Sequence, residues 1–272
     1  MKIIEDIFKT TKAVIGVIHL PPLPGAPLYD GGEVDSIIEK TLRDARALRD
    51  GGIDGILIEN FWDMPYRRGH AEPSTIACMA VIAREVAREV DVPLGINVLR
   101  NDAISAIAIA KAVGGAFIRA NAYVEVIVTD QGIIDPCAYK VQRAKILYQA
   151  LKVRVFADIH VKHGAPLVQR PVEVIAEEAL SRGLADAIIL TGPSTGTPPS
   201  LTYVERVRAR LPSASIIIGS GCNPENISTL FRLADAAIVG SYFRGGNLSA
   251  PVDVDKVKAF MSIVKEKRRK VT

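Results

Sequence analysis

The chain has 272 residues, 49% apolar and 24% charged, with 34 basic and 30 acidic side chains and a net charge of +4. The length suits one large α/β domain with a sizeable core, read as spanning residues 1–272, and the balanced, interspersed charge argues against a nucleic-acid partner. Three cysteines without a CxxC pair argue against a disulfide framework, no apolar run reaches the ~18 residues of a membrane span, and the start lacks the apolar segment of a signal peptide; a cytoplasmic protein is expected.

Short apolar runs alternate with amphipathic stretches along the whole chain. Residues 1–12 predict a short extra helix that closes the bottom of the fold. The first strand is predicted near Val14–Leu20, followed by a helix with Ile37, Ile38, Thr41, Leu42, Ala45 and Leu48 on one face, stopped by Gly51 and Gly52. "GILIEN" is the second strand, and its helix runs from a cap at about Ser74 to Val90. "PLGINVL" is the third, with Asn101 or Asp102 opening a helix. "AFIRAN" is the fourth, followed by a long excursion that suggests a hairpin lid bearing Asp130, then a helix from Cys137 to Leu151. The fifth strand, "VRVFADIH", precedes a helix over Val172–Ser181, and the sixth, "DAIILTG", one over Ser200–Leu211. "SIIIGSG" leads into a short helix capped by Asn223, with Pro224 at its first position. "DAAIVGS" leads into a last helix from Asp253 to about Lys267, merging into a basic tail over 265–272.

Strict strand–helix alternation implies a parallel sheet with right-handed crossovers, and eight units in ~250 residues is the count of a single (β/α)8 TIM barrel. The rival, an open doubly wound sheet, normally carries a glycine fingerprint after its first strand; here that strand runs into "HLPPLPGAP".

Active sites of such barrels lie at the carboxyl ends of the strands, so polar residues there are the candidates. The fifth strand supplies Asp158, His160 and Lys162, which share a side with Phe156 if the chain stays extended. The other strand ends supply His19, Glu59, Asn60, Asn97, Arg119, Asn121, Thr191 and Gly192, and His70 lies in a loop on the same face. Each residue alone also has a structural reading, such as an Arg119–Glu59 pair. The strands near the carboxyl terminus end in Gly219, Ser220, Gly221, Gly240 and Ser241. Glycines let an anion approach backbone N–H groups, and loops seven and eight are the usual phosphate grip of the fold, with Arg244 as a further contact. This pattern resembles the phosphate-binding barrels of tryptophan and histidine biosynthesis, which are ribulose-phosphate-binding-barrel-like. Cys222, beside these glycines, reads as filler more readily than as a nucleophile.

Six blocks in order, "GVIHLPPLPGAP", "GGIDGILIENFWDMPY", "PLGINVLRND", "FADIHVKH", "LTGPSTGTPP" and "IIIGSGCNPENI", resemble the BtpA family over nearly the whole chain. That resemblance implies a TIM barrel related to the phosphate-binding barrels. It brings two functional associations: photosystem I biogenesis in cyanobacteria, and sugar metabolism for a bacterial relative. It transfers no catalytic residue set.

Three chemistries fit the rim. Lys162 can form a Schiff base with a carbonyl, with Asp158 or His160 moving protons. His160 and Asp158 can run an isomerisation, with Lys162 stabilising an enediolate. Glu59, Asp158 and His160 can hold a divalent metal. Acid–base or Schiff-base work on a small phosphorylated carbohydrate, by a homo-oligomer, is the expectation, and no cofactor is specified by the residues. The alternative is a non-catalytic barrel acting as an assembly factor.

Overall fold

The computed structural model describes residues 3–269. Helix α1 (Ile3–Phe8) precedes β1 (Ala13–His19), α2 (Val34–Asp50), β2 (Gly55–Glu59), α3 (Pro73–Glu89), β3 (Leu94–Asn97), α4 (Ala103–Val113) and β4 (Phe117–Ala120). A hairpin of β5 (Ile127–Thr129) and β6 (Gly132–Ile134) follows, then α5 (Ala138–Leu147), β7 (Arg154–Ile159), the two-residue β8 (Ala165–Pro166) and α6 (Val172–Ser181). The chain ends with β9 (Ala187–Leu190), α7 (Leu201–Arg210), β10 (Ile216–Ile218), α8 (Ile227–Leu230), β11 (Ala236–Val239), a 3-10 turn η1 (Tyr242–Arg244) and α9 (Val254–Arg269).

Strands β1, β2, β3, β4, β7, β9, β10 and β11 form a closed barrel of parallel neighbours, with β11 pairing back onto β1. This is the (β/α)8 barrel that the alternation predicts. β5 pairs antiparallel with both β6 and β8, so the expected hairpin is the middle of a small three-stranded sheet. No helix among the described residues is long and apolar enough to cross a membrane.

Two apolar layers hold the barrel together. The larger fills the space between strands and helices, for example Ile56, Ile58, Ile82, Ile96 and Val141. The smaller fills the lumen with Ile15, Val17, Leu57, Phe117, Phe156, Ile189, Ile217 and Ile238. Ile4 and Phe8 of α1 belong to this inner layer, so the amino-terminal helix plugs the bottom as expected. Phe117 stacks on Phe156 at 4.6 Å and meets the edge of Phe8 at 5.7 Å. Gly95 makes room for this ring: a Cβ there would lie 2.1 Å from Phe117.

Several local boundaries differ from expectation. α3 begins at Pro73, with Glu72 in the cap position, because proline suits the first turn and Ser74 already lies inside it. α5 stops at Leu147, not Leu151. Asn223 does not open a helix; its Oδ1 accepts from the N–H groups of Glu225 and Asn226 in a tight turn, and α8 starts only at Ile227. Asp102, by contrast, caps α4 as expected, accepting from Ser105 N at 3.1 Å. Of the basic run, Lys265–Arg269 continues α9, while Lys270 lies outside the described residues.

Phe117→Ala removes the ring that contacts both Phe156 and Phe8, where a filled lumen can relax little. A loss of about 3–5 kcal/mol is expected in denaturant melts. A loss below ~1 kcal/mol would contradict the role given to this floor.

Candidate functional site

Immediately above the aromatic floor the inward-facing positions turn from apolar to charged. His19, Glu59 and Asn97 stand side by side because β1, β2 and β3 pair there, His19 opposite Glu59 and Glu59 opposite Asn97. Arg119 and Asp158, on β4 and β7, continue the ring. Arg119 donates from Nε and Nη2 to the two Asp158 oxygens at 2.9 and 3.0 Å, and from Nη1 to Glu59 Oε1 at 3.2 Å. Asn97 Nδ2 donates to the same Glu59 oxygen at 2.9 Å, and Asn121 Nδ2 donates to Asp158 Oδ2 at 2.8 Å. Arg119, Glu59 and Asp158 are each at most 3% exposed.

This geometry distinguishes the two carboxylates. Asp158 is held on both oxygens by Arg119 and Asn121. Glu59 keeps Oε2 apart from these partners, 3.9 Å from His19 Nε2. Burial opposes its ionisation, but Arg119, Lys162 and the Asn97 hydrogen bond outweigh it and hold Glu59 below the usual carboxylate range. His19 lies against Phe61 at 4.4 Å, and burial, with the nearby cations, pushes its pKa down to about 3, so the imidazole is neutral. Burial likewise lowers Lys162, to about 8, with the Arg119 charge adding to the effect and Glu59 and Asp158 partly offsetting it. Among the described residues Lys162 has no ion-pair partner within 4.0 Å.

His160 departs from the expected shared direction. β7 ends at Ile159, and His160 takes a left-handed backbone, φ 50°, so alternation stops applying one residue too early. Its ring leaves the mouth. Nδ1 pairs with Tyr203 Oη at 2.6 Å, and Nε2 lies 3.5 Å from Glu125 Oε2. The backbone N–H of His160 donates to Glu125 Oε1 at 2.7 Å. His163 repeats the left-handed turn, φ 56°, and Arg100 Nη2 donates to the Lys162 carbonyl at 2.8 Å. Lys162 therefore reaches the mouth from a pinned turn, not from a strand. The proposed metal set of Glu59, Asp158 and His160 is not assembled: Arg119 occupies the space between the carboxylates and His160 faces away. No cluster of three His, Cys, Asp or Glu side chains suited to a metal occurs among the described residues.

Across the mouth, Gly219, Ser220, Gly221, Gly240 and Ser241 line one small space with His19, Glu59, Arg119, Lys162, Thr195 and Gly196. The space holds about 20 Å³, enough for about one water. The loop over residues 192–199 closes it. Ser220 Oγ donates to Thr197 O at 2.7 Å, His163 Nε2 pairs with Thr195 Oγ1 at 3.0 Å, and His163 N donates to Pro193 O at 3.2 Å. Gly221, φ 71°, must be glycine for this closure, since a Cβ would lie 2.1 Å from Pro198 N. Outside the loop, Gly196, Gly221 and Ser241 also face an open cleft of about 360 Å³ with Gly245, Gly246 and Lys256.

The remaining candidates divide clearly. Thr191 Oγ1, Asn121 Oδ1 and His19 Nδ1 are buried polar atoms without a hydrogen-bond partner among the described residues. Gly192 packs under its own loop, where a Cβ would lie 2.4 Å from Thr197 O. Asn60 ties loops together, accepting from Leu99 N at 2.7 Å and donating to Asp63 Oδ2 at 3.1 Å. His70 is exposed beside Asp102 at 3.6 Å, away from the mouth. Arg244 does not face the glycine cleft as expected; it is buried, donates to Asp44 Oδ2 at 2.7 Å and to the Ala250 carbonyl, and Lys256 stands at the cleft instead. Burial pushes the Cys222 thiol up to about 12, which leaves it unreactive. Arg100, Lys256, Thr195 and Tyr203 were not signalled by the sequence, since each sits past a strand end or on a helix.

Arg119→Met leaves two buried carboxylates without their guanidinium and is expected to cost about 3–5 kcal/mol in denaturant melts. Adding Glu59→Gln and Asp158→Asn should recover most of that loss. A single variant as stable as the parent would show that the charges are not coupled.

The sequence profile of the BtpA family matches residues 10–266. The chain is 42% identical over 255 residues to an uncharacterized protein of Pyrococcus furiosus, covering 93% of this chain and 95% of that one. It is 40% identical over 260 residues to the photosystem I biogenesis protein BtpA of Synechocystis, covering 95% and 90%. Among solved structures, N-(5'-phosphoribosyl)anthranilate isomerase from Pyrococcus furiosus superposes with a TM-score of 0.58 at 13% identity, covering 94% of this chain and 99% of that one, a likeness of fold. The family profile over residues 10–266 and these identities agree: the chain belongs to the BtpA family.

Proposed function

We propose that this chain is an enzyme acting on the carbonyl group of a small phosphorylated, carbohydrate-type metabolite, with Lys162 as the reactive amine. The observation that carries the reading is Lys162 itself: an amine lowered to about 8, without an ion-pair partner among the described residues, next to two buried carboxylates. A lysine tuned this far is neutral often enough near neutral pH to attack a carbonyl carbon and form a Schiff base. The proton leaving the nitrogen passes to Glu59, which returns it to the carbinolamine oxygen, so that the C–O bond breaks with loss of water and the iminium forms. Part of what holds the Glu59 pKa down is the Lys162 charge, so Glu59 becomes the better base as that charge is lost. Neutral His19, its Nε2 3.9 Å from Glu59 Oε2, extends the proton path, and the iminium then serves as the electron sink for isomerase- or aldolase-type steps.

The phosphate is assigned to the glycine ends of β10 and β11, on the cleft side where Gly221, Ser241, Gly245, Gly246 and Lys256 meet. Thr191 and Asn121, with buried polar atoms lacking partners among the described residues, are assigned to the hydroxyl-bearing middle of the substrate. Because the closed mouth leaves about 20 Å³, the loop over 192–199 must lift for substrate to enter. Three cysteines, all free, support a cytoplasmic setting. Self-association is supported by α5, where Tyr139, Ile146 and Leu147 are 72%, 67% and 76% exposed.

A second reading, a barrel acting in assembly, is favoured by one observation: the 40% identical Synechocystis relative is a photosystem I biogenesis protein. The charged mouth gives such a scaffold no evident use.

Borohydride reduction in the presence of a panel of short phosphorylated aldoses and ketoses separates the two. A reduced adduct on Lys162, found by peptide mass spectrometry, is expected to increase with pH through a midpoint near 8 and to vanish in Lys162→Met and Lys162→Arg. Labelling confined to surface lysines would reject the Schiff base.

A further inference from the structure

A further cavity lies off the barrel axis. It holds about 400 Å³ between the β1 loop, α2 and the segment after η1, and is lined by His19, Pro21, Pro22, Thr41, Trp62 and Arg244 among others. That volume falls within the range of small-molecule sites, whereas the closed mouth does not. His19 lines both spaces, so the two meet at the imidazole that stands beside Glu59.

The chemistry of this cavity is specific. Its apolar wall is Pro21, Pro22, Trp62 and Leu248, flat and rigid surfaces suited to a planar body. Its charge is positive. Lys40 and Arg43 stand at its exposed rim without an ion-pair partner among the described residues, and Arg244 lies at its base, balanced by Asp44 alone. Two buried atoms on lining residues, Thr41 Oγ1 and Arg244 Nε, have no hydrogen-bond partner among the described residues. Thr41 and Arg244 are 2% and 6% exposed, so both atoms lie covered within the wall, and the cavity meets the Arg244 charge at its base.

We infer that this cavity receives the end of the substrate remote from the phosphate, and that this end carries a second anionic group on a flat or apolar body. The inference rests on the phosphorylated-substrate reading for the direction of the molecule. It adds that the substrate is anionic at both ends, with its reacting carbon at the His19 junction between them.

Trp62 is the single tryptophan of the chain, so intrinsic fluorescence excited at the indole band reads this cavity directly. The probes are benzoate, its neutral counterpart benzamide, and inorganic phosphate. Benzoate is expected to change Trp62 emission saturably in the millimolar range, and benzamide to bind about tenfold more weakly or worse. Lys40→Gln with Arg43→Gln, two exposed positions whose exchange leaves the melting temperature unchanged, should weaken benzoate about tenfold. Lys256→Glu, at the glycine cleft, should abolish phosphate binding measured by calorimetry and leave benzoate binding intact. Equal binding of benzoate and benzamide, absence of a saturable change, or indifference to the double variant each overturns the inference. If benzoate behaves as expected while phosphate binds nowhere, the cavity assignment stands and the phosphate reading falls.

Discussion

One guanidinium shared by two carboxylates organises the carboxyl end of this barrel. Arg119 reaches Asp158 through two hydrogen bonds and Glu59 through a third, all three residues being almost fully buried. Taking such charges out of water costs several kcal/mol per ion, and only close geometry with further hydrogen bonds offsets it. Asn97 and Asn121 supply those bonds. The Phe117–Phe156 stack lies below in the lumen and keeps water from the underside, so each charge acts over its neighbours through an apolar medium. Two carboxylates against one guanidinium leave the cluster one positive charge short. Lys162 is the amine placed to balance it, while burial, with the Arg119 charge, lowers its pKa.

The arrangement gives the fold and the chemistry a common cause. The same inward-facing positions that fill the lumen with Leu57, Phe117 and Phe156 continue two residues on as Glu59, Arg119 and Asp158. A single change of residue class at the strand ends converts a packed interior into a charged floor for a site. The loop over 192–199 then covers that floor, and the cavities on either side, one among glycines and one against α2, share lining residues with it. A substrate bound across the mouth would contact all three spaces.

Much of this was legible in the residues. Eight apolar runs separated by amphipathic stretches give the barrel, and the polar residues ending those runs give the ring of His19, Glu59, Asn97, Arg119 and Asp158. What was hidden depends on local backbone that periodicity does not encode. His160 was placed with Asp158 because alternation was carried one residue beyond the strand; the left-handed turn sends it to Tyr203 and Glu125. Arg244 was read as an anion contact from its place after the glycines, but the 3-10 turn directs it to Asp44, 200 residues away in the chain. Arg100 and Thr195 act across loops, and only the folded chain brings them to Lys162 and His163. The capping error at Ser74 is of the same kind: Pro73 at the first turn displaced the serine from the end of the helix.

The central claim is that the Arg119 cluster and its burial tune Lys162 for reaction with a carbonyl. The most direct measurement is the titration of the Lys162 side chain itself, followed by NMR in protein labelled at lysine and assigned with Lys162→Met. A midpoint near 8 is predicted, with the other lysines titrating well above it. A midpoint near the ordinary value of 10.5 would contradict the account, because Lys162 would then remain a charged partner of the carboxylates and not a nucleophile.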